Sequence, residues 1–285
     1  MGVSASLDAA SSAFFAGPAR AKQAAGPLDP LGYGSRNIGG NGDVGELEYL
    51  ILHTDPTAVA SKARVIDAED PSRVAVNEYV DAVRRLACQV LDLLGEGLGL
   101  RDPTSLSRLI SAADSDSLLR INHYPTTTAT LQGPAEGSIG FGEHTDPQIL
   151  SLLRANDVDG LQVLLPDGHG GGEQWVQVPA DPAAFFINVG DLLQALTNGR
   201  LVSIRHRVMA STSRSRLSTI YFAAPPLHAR ISALPETVTA VTPRRYRPFT
   251  WSEYKKAMYA HRLSHNRLDH FRAPDNDATD DDTNS

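Results

Sequence analysis

From Ser117 to residue 226 the chain is a succession of short β-prone runs, LLRINHYP, QILSLLRA, LQVLLP, WVQVP, AFFINVG, LVSIRHRVMA and RLSTIYFAAPP, separated by Gly, Pro, Asn and Asp turns. Such runs are too short for helices, and their β-branched and aromatic residues suit a pleated surface. Many short strands at this spacing build a sandwich or barrel; alternating strand–helix units would need helical stretches between them.

The flanks are helical. In residues 72 to 100, Val76, Val80, Val83, Ala87, Val90 and Leu94 recur at three- and four-residue steps, predicting a long amphipathic helix with Gly95 and Gly97 as its stop. A shorter helix is expected at DPTSLSRLISAA, with Asp102 as cap and Pro103 in the first turn. Residues 1 to 30, rich in Ala and Ser and broken by Pro18, Pro27 and Pro30, suggest a short helix and an irregular lead-in. Thr250 and Glu253 make a capping box for a helix in FTWSEYKKAMYAHRL. The glycines around His169 make it a solvated loop histidine, and the acidic DNDATDDDTNS end is expected to be disordered. The predicted organisation is a helical N-terminal region over 1–116 with its long support helix and a β core over 117–230. A C-terminal strand and helix over 231–272 and an acidic tail over 273–285 complete it.

Composition narrows the partners. A formal charge of −7 and a pI near 5.7 exclude an electrostatic grip on nucleic acid or an anionic membrane. No run reaches the roughly 18 apolar residues of a membrane span, and no basic segment precedes an apolar one at the N-terminus. Cys88 is the single cysteine, so an intrachain disulfide is ruled out, and its helical setting favours a buried small side chain over a reactive thiol. A cytoplasmic protein is expected.

Strand parity organises the polar residues. Residues two apart in a strand share a face, so His144 and Asp146 in GFGEHTDPQILSLL project into one space if 142–146 is extended, and Glu143 and Thr145 face away. Alone, the pair fits a polar turn as well as two thirds of a metal site. His206 is the polar member of the stripe Val202, Ile204, His206, Val208, either a satisfied core histidine or a third ligand. Arg216 and Ser218 share a face and form a carboxylate receptor, unless an internal acid pairs with the guanidinium. Asn122 and Tyr124 share a face before Pro125, and His123 points the other way into packing. Together these pairs are consistent with one cavity.

The residues NHYP, GFGEHTDPQILSLLRAN, GLQV, FFINVGDLLQALTNGR, SIRHRV and SRLSTIYFAAPP resemble the iron(II)- and 2-oxoglutarate-dependent dioxygenases of plants. GYGS, LEYLIL, FTWSEYKKAMY and NRLDHF bring the resemblance to the gibberellin 2-oxidases acting on nineteen-carbon gibberellins. The resemblance runs from about residue 27 to 272. It implies a double-stranded β-helix (jelly roll), mainly β with flanking helices. It also implies Fe(II) on His144, Asp146 and His206, with the distal carboxylate of 2-oxoglutarate on Arg216 and Ser218 and Tyr124 touching the same cosubstrate. Arg216 is then also the residue on which catalysis depends, and ascorbate is expected to keep the iron reduced. The implied reaction uses dioxygen to hydroxylate a diterpenoid acid, a gibberellin, at the 2β position and so inactivate the hormone. Tyr33, Phe141, Phe222 and Tyr254 are candidates for substrate contact or for core packing. The resemblance further implies that the start of the family's N-terminal region is not part of this chain. The same chemistry on a flavonoid or alkaloid, or a non-catalytic metal- or partner-binding relative, stays open, as does a homo-oligomer. A zinc hydrolase is disfavoured, because an Arg216–Ser218 acid clamp has no role in one.

Overall fold

The computed structural model describes residues 2–25, 31–37, 44–54, 71–126, 139–168, 171–211, 213–260 and 267–274. His169 and the acidic tail beyond residue 274 lie outside them. In chain order the strands are β1 (Gly32–Asn37), β2 (Val44–His53), β3 (Leu118–Tyr124), β4 (Ile139–His144), β5 (Leu150–Ala155) and β6 (Leu161–Pro166). They continue as β7 (Glu173–Gln177), β8 (Phe186–Val189), β9 (His206–Met209), β10 (Arg216–Ala223), β11 (Arg230–Ile231) and β12 (Phe249–Thr250). The helices are α1 (Val3–Ala16), α2 (Ala19–Ala24), α3 (Pro71–Leu98), α4 (Ser107–Ser111), α5 (Asp191–Leu196) and α6 (Trp251–Ala260).

Two antiparallel sheets face each other, one in the order β1-β2-β3-β10-β5-β8 and the other β4-β9-β6-β7, the sandwich that the spacing of short runs predicts and the jelly roll that the resemblance implies. Period two then sorts each strand. On β3, Leu119 and Ile121 turn out toward the helices, whereas Arg120, Asn122 and Tyr124 turn in. On β10, Tyr221 and Ala223 turn out and Ser218, Ile220 and Phe222 turn in. The larger apolar core therefore lies outside the six-stranded sheet, where Val76, Val80, Val83, Ala87 and Leu91 of α3 are buried. A smaller cluster, including Tyr49, Tyr124, Phe141, Leu161 and Val208, sits between the sheets.

Three details differ from the sequence expectation. The long helix passes through Gly95 and Gly97 and ends at Gly99, whose φ of 71° is the left-handed terminator, with the Leu100 amide donating to the Gly95 carbonyl at 3.0 Å. β1 and β2 lie before residue 117, in the region expected to be helical, and extend the larger sheet through β2–β3 pairing. β9 begins only at His206, so Val202 is largely exposed while His206 and Val208 are buried as the stripe predicts. The Asp102 cap is present on a short 3-10 turn, where its side chain accepts from the Thr104 amide at 3.0 Å. The Thr250–Glu253 box is reciprocal, at 2.6 and 3.2 Å.

Candidate metal centre and cavity

His144 ends β4 and His206 starts β9, and the register pairs them directly across the two strands. Their rings lie 4.3 Å apart between centroids. Each Nδ1 faces a main-chain carbonyl, Gly142 at 2.7 Å and Ile204 at 3.2 Å. A carbonyl only accepts, so each Nδ1 carries a proton, and Nε2 is the nitrogen left to act as a ligand. Both Nε2 atoms point at Oδ1 of Asp146, 3.6 Å away in each case. The other carboxylate oxygen is fully engaged: Oδ2 accepts from Ser151 Oγ at 2.6 Å and from Asn188 Nδ2 at 2.8 Å. One oxygen is thus held by the frame and the other is presented to the histidines.

The three ligand atoms lie within 4.8 Å of one another and all three residues are buried. Burial raises the Asp146 carboxyl, but the neighbouring imidazoles and the Ser151 hydroxyl outweigh it and hold the group below the usual carboxylate range. Burial, followed by the neighbouring His206, lowers the pKa of His144 and favours its neutral form. A carboxylate oxygen and two imidazole nitrogens converging on one point form the donor set of a 2-His-1-carboxylate metal site.

The sequence-predicted anion receptor stands on the opposite sheet. Register pairs Arg216 with Tyr124 and Ser218 with Asn122 across β10 and β3. Arg216 is only 2% exposed, its guanidinium lies 5.5 Å from the Tyr124 ring centroid, and its Nε and Nη1 have no hydrogen-bond partner among the described residues. The Ser218 hydroxyl is likewise buried without one. Desolvation lowers the Arg216 pKa and burial raises that of Tyr124. Gly160 backs this group, because a Cβ there would meet the Arg216 side chain at 3.1 Å. Orphaned donors on a buried cation are the counterpart of an absent anion.

Tyr124, Ser218 and the metal triad line one open-mouthed cavity, walled by Phe141, Leu153, Leu161, Phe186, Val208 and Phe222, whereas Arg216 lines a neighbouring pocket that shares Leu153, Leu161 and Phe186 with it. Of the four aromatic candidates, Phe141 and Phe222 line it. Tyr33 instead hydrogen-bonds Glu48 and Tyr254 hydrogen-bonds Asp191. His123, as parity requires, turns outward, onto Glu48 at 2.8 Å and the Phe15 ring. Sequence reasoning missed Ser151, Asn188 and Arg120. Ser151 and Asn188 are cross-strand neighbours on β5 and β8, polar residues in apolar runs, and Arg120 continues the parity of Asn122 and Tyr124. Its guanidinium lies 4.1 Å from the Tyr49 ring centroid and 5.0 Å from that of Phe141, with Nε donating to Asn122 Oδ1 at 2.8 Å.

A jelly roll holding this triad beside a buried guanidinium and hydroxyl without partners defines the class, the 2OG-Fe(II) oxygenases, and residues 115–225 match that superfamily. The solved structure of JOX2 in complex with 2-oxoglutarate, Fe and JA superposes with a TM-score of 0.79 at 26% identity, covering 95% of this chain and 79% of that one. A gibberellin 2-beta-dioxygenase 2 of Oryza sativa subsp. japonica is 70% identical over 96% of this chain and 77% of its own length. A gibberellin 2-beta-dioxygenase of Phaseolus coccineus is 49% identical over 91% of this chain and 77% of its own. The chain belongs to the gibberellin 2-beta-dioxygenase family. It is an oxidoreductase that depends on Fe(II) and 2-oxoglutarate. Among the described residues no helix is long and apolar enough to cross a membrane.

Proposed function

We propose that this chain 2β-hydroxylates nineteen-carbon gibberellins and so removes the active hormone. The observation that carries the reading is the pairing, inside one barrel, of a three-donor metal cluster with a buried guanidinium and hydroxyl that lack partners. His144 and His206 through Nε2 and Asp146 through Oδ1 hold Fe(II). Arg216 and Ser218 take the distal carboxylate of 2-oxoglutarate, and Tyr124, stacked beside the guanidinium, closes the end of that subsite. When bound, the metal and cosubstrate supply the oxidising chemistry: dioxygen and 2-oxoglutarate become succinate and carbon dioxide, and one oxygen atom enters a substrate C–H bond.

The chain's own residues supply orientation. Ser151 and Asn188 fix the Asp146 carboxylate so that only one oxygen faces the metal position. Arg216 acts from a dry wall, where a charge-assisted hydrogen bond is strong and aligns the cosubstrate. The apolar walls suit a rigid hydrocarbon skeleton and exclude water from the reacting carbon. Arg120, a cation on the cavity lining, is the anchor for the substrate's carboxylate. Its guanidinium is held at the cavity lining over the Tyr49 and Phe141 rings.

The test is mass spectrometry of products after incubating the full chain with Fe(II), 2-oxoglutarate, ascorbate and a gibberellin panel. A product heavier by one oxygen atom, formed with stoichiometric succinate and absent from His206→Ala, is the expected result. Protein that binds 2-oxoglutarate yet oxidises no gibberellin would overturn the substrate reading alone.

A further inference from the structure

Behind the cavity, away from the histidine rings, lies a second polar cluster that the reaction does not touch. Asp191, the first residue of α5, is 3% exposed, and its Oδ2 accepts from the Tyr254 hydroxyl at 2.6 Å and from Thr145 Oγ1 at 3.2 Å. Arg267, 5% exposed, approaches the same oxygen at 3.9 Å and donates through Nη2 to the main-chain carbonyl of Thr145 at 2.5 Å. The Asp191 amide donates to the main-chain carbonyl of Asp146 at 2.7 Å.

These bonds converge on one hinge. Thr145 is the single residue between His144 and Asp146, and the Thr145 and Asp146 carbonyls belong to the two peptide planes that flank the Asp146 Cα. Arg267 pins the first plane and the Asp191 amide pins the second. Because only two soft dihedrals connect those planes, holding both fixes the direction in which the Asp146 side chain leaves the backbone. β4 ends at His144, so no ladder hydrogen bond does this work for Asp146. The carbonyl held by Arg267 lies 122 residues earlier in the chain.

We propose that Arg267, acting through the Thr145 carbonyl and supported by Tyr254 on Asp191, is a positioning residue that sets the metal affinity of the His144–Asp146–His206 cluster. The proposal rests on the metal-site reading above and assigns the C-terminal segment a part in the iron centre although neither Arg267 nor Tyr254 lines the cavity. Arg267 partly offsets the burial of Asp191, keeps the Thr145 peptide from rotating, and so keeps Asp146 Oδ1 aimed between the two imidazoles.

The experiment is a titration of the full chain with Mn(II), following free ion by electron paramagnetic resonance, for wild type, Arg267→Met, Arg267→Lys, Tyr254→Phe and His206→Ala. Loss of outer hydrogen bonds to metal ligands weakens affinity by roughly 10- to 100-fold. Arg267→Met is therefore expected to raise the Mn(II) dissociation constant at least about tenfold, with Arg267→Lys, which keeps a donor for the carbonyl, recovering threefold or more of the loss. A folded Arg267→Met protein within twofold of wild type overturns the proposal, and so do Met and Lys variants that are equally weak, since a restored donor to the Thr145 carbonyl then restores nothing. Should Arg267→Met fail to fold, Tyr254→Phe decides: roughly threefold weaker binding supports the proposal and unchanged binding overturns it. Wild type that binds Mn(II) no better than His206→Ala removes the metal-site reading itself, an outcome distinct from a normal wild type with a normal Arg267 variant.

Discussion

Arg216 brings a guanidinium into the barrel wall with two nitrogens unpartnered, an arrangement that costs several kcal/mol in desolvation until an anion arrives. That cost makes the residue's role separable from a structural one by sign. Replacing a structural buried cation destabilises the fold, whereas Arg216→Ala is expected to leave the melting temperature of the ligand-free protein unchanged or raised. The same variant should weaken 2-oxoglutarate binding by about a hundredfold, the scale for truncating a buried charge partner. Calorimetry of 2-oxoglutarate binding to the Mn(II)-loaded protein checks the second effect, and unchanged affinity sinks the clamp assignment. Arg216→Lys keeps the charge without the planar fork and should fall between. Arg120 makes a different prediction, because the proposed function places it on the organic substrate's carboxylate. Arg120→Ala should raise the gibberellin KM about tenfold or more, leave 2-oxoglutarate affinity alone, and abolish the preference for the free acid over its methyl ester.

The end of α3 shows how one residue type can have three different surroundings in five positions. Gly95 sits where a Cβ would lie 2.2 Å from the Pro103 carbonyl oxygen, a backbone clash that no side chain can relieve. Gly97 has open space around it, and Gly99 has open space but a φ of 71°. Gly97→Ala should therefore stabilise the protein by about 0.5–1 kcal/mol through helix propensity and Gly99→Ala should destabilise it by about 1 kcal/mol through strain. Gly95→Ala should cost more than Gly99→Ala, and urea denaturation of the three variants orders them. From sequence the glycines mark only the vicinity of a stop; which one terminates depends on what packs against the helix. The same distinction governs the rest of the fold. β3, β5, β6 and β10 were legible because apolar residues alternate with polar ones. β1, with two glycines in GYGSRN, carries little side-chain pattern, and its place at the sheet edge comes from pairing with β2. At the site, parity identified the face on which His144, His206, Arg216, Ser218, Tyr124 and Asn122 lie. Register, which parity does not contain, made His144 and His206 direct neighbours and put Asn188 beside Ser151. Arg267 was beyond reach for the same reason, since its contact is made by chain return and leaves no local pattern.

At the scale of the whole molecule, the N-terminal helices meet the barrel at a partly buried carboxylate, Glu48. Glu48 on β2 accepts from Lys22 of α2 at 2.6 Å and from Tyr33 of β1 at 2.7 Å, and it meets His123 of β3 at 2.8 Å. Phe15 of α1 stacks on that histidine, while Asp8 of α1 pairs with Arg154 on β5. Burial alone would raise the Glu48 pKa, but the donors from His123, Lys22 and Tyr33 and the lysine charge overcome it and bring the group from 4.5 down to about 2. A carboxyl whose folded pKa is depressed contributes its full stability above the unfolded value and loses it as pH falls through the folded one. The contribution of Glu48 is therefore complete above pH 4.5 and gone near pH 2. Glu48→Gln keeps the shape and removes the charge, so at neutral pH it should cost about 1–3 kcal/mol, the range for breaking a partly buried pair. The decisive quantity is the difference between wild type and variant, since other carboxylates titrate equally in both. That difference should be flat from pH 7 to about 5 and shrink progressively below pH 4.5. Urea midpoints of the two proteins at a series of pH values measure it directly. A gap that stays constant on acidification would mean that the cluster holds the N-terminal helices through packing of Phe15 and Tyr33, with the Glu48 charge contributing nothing.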